Sequence, residues 1–311
     1  MEQKVTRRAL IQKAGIALAA ASLQGSAAKG AHSQLQLSTP RDRPRALALI
    51  GDRYHNADYI RVSLDRLFKE LDIPIDYTIE YDQLSRGLLE KYRLFLCFRD
   101  GMVWPDGYLG PDAYTDYEGR LENSPRAAPP KSQTSTTEDQ GEPIKDFVKD
   151  FAPTKPKTWI TEDQGAAIRD FVSAGNGFYA LHNSSHISLS SKKYRDVMGG
   201  RYIGHPPLRP FRVRASQNQH PITQGVQEFM VNDEQHYVEY DKDKSHIILE
   251  SENIDGLVYE ELGTRSISGW AYDFGKGRVV FTAVGHTIHA MWAPEYFQIQ
   301  KRSVLWLLKQ L

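Results

Sequence analysis

The sequence contains one cysteine, Cys97, among its 311 residues. A single cysteine excludes an intrachain disulfide and a metal cluster built from thiolates. Its position inside the apolar run Arg93–Phe98 favours a small buried residue over a reactive thiol. The sequence also lacks an excess of either charge, since Lys plus Arg and Asp plus Glu both number 39. No bulk charge therefore indicates binding to nucleic acid or to an anionic membrane, and neither partner is expected.

Several catalytic signatures are missing as well. No G-x-G-x-x-G follows a predicted strand, so neither a nicotinamide nor a flavin cofactor is expected. The chain has no H-E-x-x-H motif, which removes the best-known sequence pattern for catalytic zinc. It also has no G-x-S-x-G elbow, which argues against a serine hydrolase using Ser184 or Ser185. Any catalytic site must therefore be assembled from dispersed residues.

The N-terminal segment has the order of a secretory signal. The pair Arg7-Arg8 is followed by the apolar stretch Ala14–Leu23 and then by the small residues Gly25-Ser26-Ala27-Ala28. The apolar stretch is too short to span a bilayer comfortably, and paired arginines indicate the twin-arginine route. We predict a signal peptide at residues 1–30 and a polar linker at residues 31–44. The mature protein is expected to be periplasmic or extracellular, without a membrane anchor.

Four apolar, strand-like runs end alike, each passing directly into a polar or histidine-bearing turn. They are Arg45–Ile50, Arg93–Phe98, Phe178–Leu181 and Arg278–Ala283. Continuous apolar runs are typical of buried parallel strands, and ligands bind outside the carboxyl ends of such strands. If the four strands are parallel neighbours, the residues that follow them meet at one edge of the sheet. Those residues are His55, Asp100, His182 and His286.

Strands alternate with helical patterns along most of the chain, which predicts one α/β domain over residues 45–311. Thr161 is expected to be the N-cap of a helix, and Ile267–Phe274 with Arg278–Ala283 to form a hairpin through a Gly-Lys-Gly turn. Residues 110–157 interrupt the alternation with a proline-rich stretch. This segment is predicted to be an insertion that is either a loop or partly disordered.

Four longer stretches together resemble the ThuA-like (trehalose-utilisation) family, a branch of the class I glutamine amidotransferase-like fold. They are TEDQGAAIRDFVSAGNGFYALHNSSH, GGRYIGHP, HPITQGVQEFMVNDEQHY and ISGWAYDFGKGRVVFTAVGHTIHAMWAPEYFQIQKRSVLWLL. The resemblance implies a flavodoxin-like, doubly wound and mostly parallel sheet. It also implies a role in using trehalose or a related disaccharide, with 3-keto sugars as one form of the substrate. Because the chain lacks a dinucleotide-binding motif, a separate dehydrogenase is a partner that could supply oxidation.

The same resemblance places His182 where the amidotransferase-like fold carries a strained cysteine nucleophile. A glutaminase needs that thiolate, so glutamine hydrolysis is effectively excluded. The strand-to-helix turn nevertheless exposes its side chains at the sheet edge. Ser184 and Ser185 either contact a ligand there or cap the following helix.

Histidines and one carboxylate are the best candidates for chemistry. His182, Glu234 and His286 are predicted to be catalytic, because a His with a nearby Glu can act as acid and base near neutral pH. The same three residues could hold a divalent metal such as zinc. The residues predicted to bind substrate are His55, Asp100, Asn183, Ser184, Ser185, His205, His236 and Trp292. A non-catalytic sugar-binding protein is the alternative, and homo-oligomerisation stays open.

Overall fold

The computed structural model describes residues 45–103, 157–216 and 220–311. The predicted signal peptide, the linker and nearly all of the predicted insertion lie outside these residues. The predictions made for those segments therefore stay predictions.

A nine-stranded sheet forms the centre of the described structure, with the strand order β2-β1-β3-β4-β11-β10-β9-β6-β7. A separate two-stranded sheet pairs β5 with β8. The strands are β1 Ala46–Ile50, β2 Ile75–Thr78, β3 Leu94–Phe98, β4 Gly177–Leu181, β5 Gly200–Gly204, β6 Arg209–Ala215, β7 Phe229–Asp233, β8 Tyr237–Tyr240, β9 Ile247–Asn253, β10 Arg265–Phe274 and β11 Gly277–Thr282.

The first five strands of the large sheet are parallel, and the last four alternate in direction. The parallel half has the flavodoxin-like arrangement, in which the chain begins on an inner strand and winds to both sides. The four predicted strands are therefore parallel neighbours, in the order β1-β3-β4-β11. The predicted hairpin is also present, since β10 and β11 pair antiparallel from Gly269–Thr282 to Phe274–Gly277.

Helices cover both faces of the sheet. They are α1 Ala57–Glu70, α2 Arg86–Leu89, α3 Glu162–Ser173, α4 Lys192–Met198, α5 Ile288–Met291 and α6 Pro294–Leu307. Short 3₁₀ helices at Tyr81–Gln83, His182–Leu189 and Lys244–His246 complete the helical segments of the described residues. None of the helices in the described ranges is long and apolar enough to span a bilayer.

Local sequence explains where the two longest early helices begin. Asn56 caps α1, its side chain accepting a 2.7 Å hydrogen bond from the N–H of Asp58. Thr161 caps α3 as predicted, and Gln164 completes a capping box by accepting a 2.9 Å bond from the Thr161 N–H. Both caps satisfy N–H groups that the first turn of a helix leaves without partners.

The core forms two layers because successive side chains of a strand point to opposite faces. In β1, Ala46, Ala48 and Ile50 pack with α1, α5 and α6, whereas Leu47 and Leu49 pack with α2, α3 and α4. The central strands are therefore buried on both faces, which explains their continuous apolar sequences.

The direction of β7 matters for the site. Counting the antiparallel pairs from β11 through β10, β9 and β6 gives β7 the same direction as β11. The carboxyl end of β7 therefore faces the same side as those of the parallel strands. The antiparallel half curls back far enough for Asp233, the last residue of β7, to bind the turn that follows β11.

Candidate active site

Three histidines that follow different strands lie against one another at the carboxyl edge of the sheet. The ring centroid of His55, after β1, is 4.9 Å from those of both His182, after β4, and His286, after β11. His182 and His286 are 5.8 Å apart by the same measure. The neighbouring parallel strands thus bring together residues that are up to 231 positions apart in the chain.

Glu234, the residue after β7, lies at the centre of a larger histidine cluster. Its Oε2 atom is 3.0 Å from Nδ1 of His286 and 3.6 Å from Nε2 of His182. The same oxygen is 3.6 Å from Nε2 of both His205 and His236. One carboxylate oxygen therefore faces four imidazole nitrogens. Only the direction and curl of the antiparallel strands allow this arrangement.

His182 has a backbone conformation that residues other than glycine rarely adopt. Its φ is +46°, at the turn from β4 into the 3₁₀ helix. A residue held this way stores on the order of 1–3 kcal/mol of strain, which the surrounding structure must hold in place. Part of that support is a 2.6 Å contact between Nδ1 of His182 and the carbonyl oxygen of Ala283. A carbonyl only accepts, so Nδ1 carries the proton and Nε2 faces Glu234.

His55 is held by Asp52, whose side chain is fully buried in the turn after β1. The Nδ1 atom of His55 lies 2.9 Å from Oδ1 of Asp52. Asp52 also accepts hydrogen bonds from the backbone N–H groups of Tyr54 and Asp100 and from the side-chain amide of Asn183. Asp52 thus fixes the turns after β1, β3 and β4 relative to one another.

A second buried carboxylate fixes the turn after β11. Asp233 accepts hydrogen bonds from three successive backbone N–H groups, those of Gly285 at 2.7 Å, His286 at 3.2 Å and Thr287 at 3.1 Å. Asp233 precedes Glu234 directly. The same contact therefore sets the positions of Glu234 and of His286.

The described residues at this edge form an open pocket of about 320 Å³. Polar side chains dominate its lining, which consists of Tyr54, His55, Asp100, Met102, Asn183, His186, Tyr202, His205, Glu234 and His236. A volume in this range suits a small molecule. Glu234 and His55 line the pocket and contact both inner histidines, His182 and His286, and His236 lines the pocket and stacks on His182.

The charges of these groups differ because their surroundings differ. Burial opposes ionisation of Glu234, but the neighbouring imidazoles of His182, His236 and His286 hold its pKa well below the usual range. Burial lowers the pKa of His182 far below its usual value and that of His236 to about 4. For His55, burial opposes protonation, but the Asp52 carboxylate raises the pKa. Near neutral pH the pocket thus holds an anionic Glu234 beside two neutral rings.

The structure brings most of the predicted site residues together. His55, Asp100, Asn183, His205, Glu234 and His236 line the pocket, and His182 and His286 lie behind Glu234. Three others are placed elsewhere. Ser184 and Ser185 are fully buried, and the Ser185 hydroxyl donates a 3.1 Å bond to the His182 carbonyl. Trp292 packs on the core beside Arg66, whose guanidinium carbon lies 5.2 Å from its ring centroid.

Sequence reasoning missed Asp52, His186 and Tyr202. Asp52 precedes His55 by three residues in the turn after β1, a spacing that lets the carboxylate accept from backbone and ring at once. That spacing was a usable signal. His186 and Tyr202 reach the pocket from the 3₁₀ helix and from β5, and their ring centroids are 5.7 Å apart. No sequence pattern marks either residue.

Comparison with known proteins agrees with this architecture. The sequence profile of the family described as ThuA, trehalose utilisation, matches residues 147–307. No functionally curated protein matches the chain. The structure resembles a ThuA-like protein from Bacteroides uniformis at 11% identity and a TM-score of 0.54, covering 87% of this chain and 94% of that one. It also resembles a ThuA-like protein from Parabacteroides merdae at 12% identity and a TM-score of 0.53, covering 86% and 90%. At such identities the two structures establish the fold alone.

Proposed function

Because the chain belongs to the ThuA trehalose-utilisation family, we propose that it is an enzyme acting on trehalose or a related disaccharide, including a 3-keto form. The reaction takes place in the pocket at the carboxyl edge of the parallel strands. Ligands bind there in open α/β sheets, outside the strand ends where the chain winds to both sides. The family supplies the substrate class, and the residues in the pocket supply the chemistry.

The observation that carries the proposal is the position of Glu234. Its carboxylate lies in the pocket wall and within 3.6 Å of four imidazole nitrogens. Structural carboxylates are usually paired with Arg, Lys or backbone N–H groups, and a histidine-rich surrounding is typical of sites that transfer protons or hold a metal. Among the described residues, the ion-pair partners of Glu234 are histidines and not Lys or Arg.

The geometry supports distinct roles for the residues around the pocket. Glu234 is ionised before the reaction and takes up a proton from a sugar hydroxyl or from a carbon beside a keto group, becoming the neutral acid in that step. His205, whose side chain is 30% exposed, faces the same pocket and exchanges protons with the bound sugar. Asp100 and Asn183 line the pocket as hydrogen-bonding groups for other hydroxyls. His182 and His286 act through Glu234, which they contact.

Glutamine hydrolysis is a poor alternative function. The turn after β4, where the amidotransferase-like fold carries its cysteine nucleophile, has His182 instead, and Cys97 lies inside β3 with no exposed surface. Burial raises the pKa of the Cys97 thiol to about 12, so this thiol stays protonated near neutral pH. A glutaminase requires a thiolate nucleophile, which neither residue supplies.

Two further parts of the proposal concern the cellular setting. The mature protein is exported by the twin-arginine route, on the strength of Arg7-Arg8 and the apolar stretch that follows. A separate dehydrogenase supplies the oxidised sugar where a 3-keto form is the substrate, since the sequence carries no dinucleotide-binding fingerprint.

A screen of purified mature protein against trehalose, other disaccharides and their 3-keto derivatives tests the proposal. Binding is followed by calorimetry and turnover by mass spectrometry of the products. Glu234→Gln keeps the shape of the side chain and removes its charge, so turnover should fall by about 10²–10⁴-fold. Glu228→Gln is the matched control, because Glu228 is exposed on the approach to β7 and lies outside the pocket lining.

The second candidate function is a sugar-binding protein without catalysis. A partly open pocket with several hydrogen-bonding groups suits a binding protein as well as an enzyme. The screen distinguishes these two functions by one outcome. A binding protein forms a complex but no product with any sugar of the screen, and Glu234→Gln then changes affinity alone. Failure of every sugar to bind would reject both functions.

A further inference from the structure

Four side chains at the back of the pocket converge their ligand atoms on one small volume. His55, His182, Glu234 and His286 each offer one nitrogen or carboxylate oxygen, and these atoms all lie within 4.8 Å of one another. Three separations are shorter, at 3.0 Å from His286 to Glu234, 3.1 Å from His286 to His55 and 3.6 Å from His182 to Glu234. Ligand atoms around a tetrahedral zinc ion with bonds of about 2.0–2.1 Å lie about 3.3 Å apart.

The hydrogen bonds of the outer ring nitrogens turn the inner ones towards the cluster. Nδ1 of His182 donates to the Ala283 carbonyl and Nδ1 of His55 donates to Asp52, so Nε2 of both rings faces the other ligand atoms. Glu234 presents a carboxylate oxygen. His286 can place at most one proton on Nδ1. Nε2 of His182, in a ring that is fully buried, makes no hydrogen bond to any described residue.

Additional protons on the rings would not stabilise this arrangement. Protonating both His55 and His182 would place two imidazolium ions with ring centroids 4.9 Å apart, at a site where His182 is fully buried. Like charges at that distance in a low-dielectric setting repel strongly. A single cation placed among the four atoms satisfies all of them at once, with Glu234 offsetting part of its charge.

The surroundings of the rings match those of metal ligands. A histidine that binds a metal usually donates its other ring N–H to a carboxylate or a backbone carbonyl, which fixes its tautomer and orientation. Asp52 does this for His55 and the Ala283 carbonyl does it for His182. The strained elbow at His182 holds that ring rigidly, as metal sites require.

We propose that His55, His182, Glu234 and His286 bind one divalent transition-metal ion, with zinc as the ion that suits this donor set best. Imidazole and carboxylate ligands in this number are typical of zinc and related ions. The proposal deepens the carbohydrate activity and, in its catalytic part, rests on it. When bound, the ion would act as a Lewis acid on a hydroxyl or keto oxygen of the sugar. His55 and Glu234 line the pocket, so such an oxygen can approach the ion from there.

A second group, His205, Glu234 and His236, shares the carboxylate. It supplies only two imidazoles, and we assign these rings to the substrate side of the pocket. The two assignments predict different losses. In our assignment His55→Ala releases the metal and His205→Ala retains it.

The test measures metal content independently of any sugar. Untagged mature protein is stripped with a chelator, dialysed against zinc and analysed by inductively coupled plasma mass spectrometry. Roughly one ion per chain is expected for the wild type, and little for His182→Ala and His286→Ala. His289→Ala is the matched control, because His289 is exposed on α5 and close in sequence to His286. This variant should keep its ion.

Cobalt substitution gives a spectroscopic signature, since visible absorption bands of tetrahedral or five-coordinate cobalt should appear in the wild type and in His289→Ala only. If an alanine variant fails to fold, as judged by circular dichroism, Glu234→Gln replaces it as the near-isosteric variant. Wild type that binds no zinc or cobalt overturns the proposal, as does loss of the ion from His205→Ala but not from His55→Ala. Sugar turnover by metal-free protein would overturn the metal's catalytic role and leave the proposed function standing. A bound ion without turnover of any sugar would overturn the proposed enzymatic function and leave the metal site standing.

Discussion

The carboxylate of Asp52 accepts a 2.9 Å hydrogen bond from Nδ1 of His55. This contact decides which nitrogen of His55 faces the other histidines, because Nδ1 is bound to Asp52 and Nε2 then lies 3.1 Å from Nδ1 of His286. Burial opposes ionisation of Asp52, but the charge and hydrogen bond of His55 lower its pKa. The hydrogen bond with Asp52 therefore fixes the orientation of the His55 ring within the candidate site.

We expect Asp52→Asn to weaken the site more than the fold. Asparagine keeps an oxygen that can accept from the backbone N–H groups of Tyr54 and His55, but it lacks the charge that orients the ring. Loss of such a supporting group lowers metal affinity or activity by about 10–100-fold. Zinc titration of the stripped protein measures the affinity, and thermal melting of the metal-free protein measures the fold. If the metal-free variant also shows a large drop in melting temperature, the lower zinc affinity is explained by damage to the fold, and Asp52 is structural only.

Gly285→Ala should destabilise the protein and disturb His182. A methyl group on Gly285 would lie 2.8 Å from Cβ of His182 and 2.8 Å from Cζ of Phe98, both of which are buried. Overpacking of this kind costs about 1–3 kcal/mol of unfolding free energy. The matched control is Gly87→Ala in α2, where an added methyl meets no atom of the described structure within 4 Å. Urea unfolding compares the two variants, and equal stability for both would contradict the close contact.

The neutral His236 ring should contribute stability to the metal-free protein that is lost as the pH decreases from about 6.5 to 4. Burial lowers the pKa of His236 to about 4, whereas the unfolded chain has a pKa near 6.5, so the unfolded state binds more protons between these values. The contribution is complete above pH 6.5 and is lost as the pH falls through the folded pKa. The upper limit of the His236 contribution to the free energy of unfolding is about 3 kcal/mol.

Urea unfolding at several pH values in the presence of a chelator measures this dependence. His236→Asn should remove this contribution from the measured pH dependence. His182 adds a contribution of the same sign because burial lowers its pKa too, and Asp233 adds one of the opposite sign because burial raises its pKa to about 8. His289→Asn should leave the slope unchanged, since His289 is exposed. A slope as steep in His236→Asn as in the wild type would mean that this ring is not held neutral by burial.

Export should depend on the paired arginines. Replacing Arg7 and Arg8 with lysine keeps the positive charge but removes the pair that the twin-arginine route recognises. The protein should then remain in the cytoplasm at its full length. Immunoblots of periplasmic and cytoplasmic fractions measure this, and the mass of the wild-type mature protein gives the cleavage site. Unchanged periplasmic accumulation of the Lys-Lys variant would reject the twin-arginine assignment.

The sequence alone determined which strands carry the site. The runs that end before His55, Asp100, His182 and His286 are apolar throughout, as strands buried on both faces must be, and the flavodoxin-like winding makes them parallel neighbours. The Thr161 cap was predictable for a similar reason, because capping depends on residues within one helical turn. These features follow from local patterns and from a topology with few alternatives.

Only the tertiary structure decided how the site is completed. Glu234 reaches the histidines because four antiparallel strands return β7 in the direction of β11 and Asp233 binds the turn beside His286. Trp292 was expected at the sugar but packs on the core near Arg66, since its place on the short α5–α6 connection directs the ring to the helical layer. An aromatic residue or a carboxylate has the same sequence signature at a pocket and away from one. Its position depends on strand direction and curl, which are set by contacts between residues far apart in the chain.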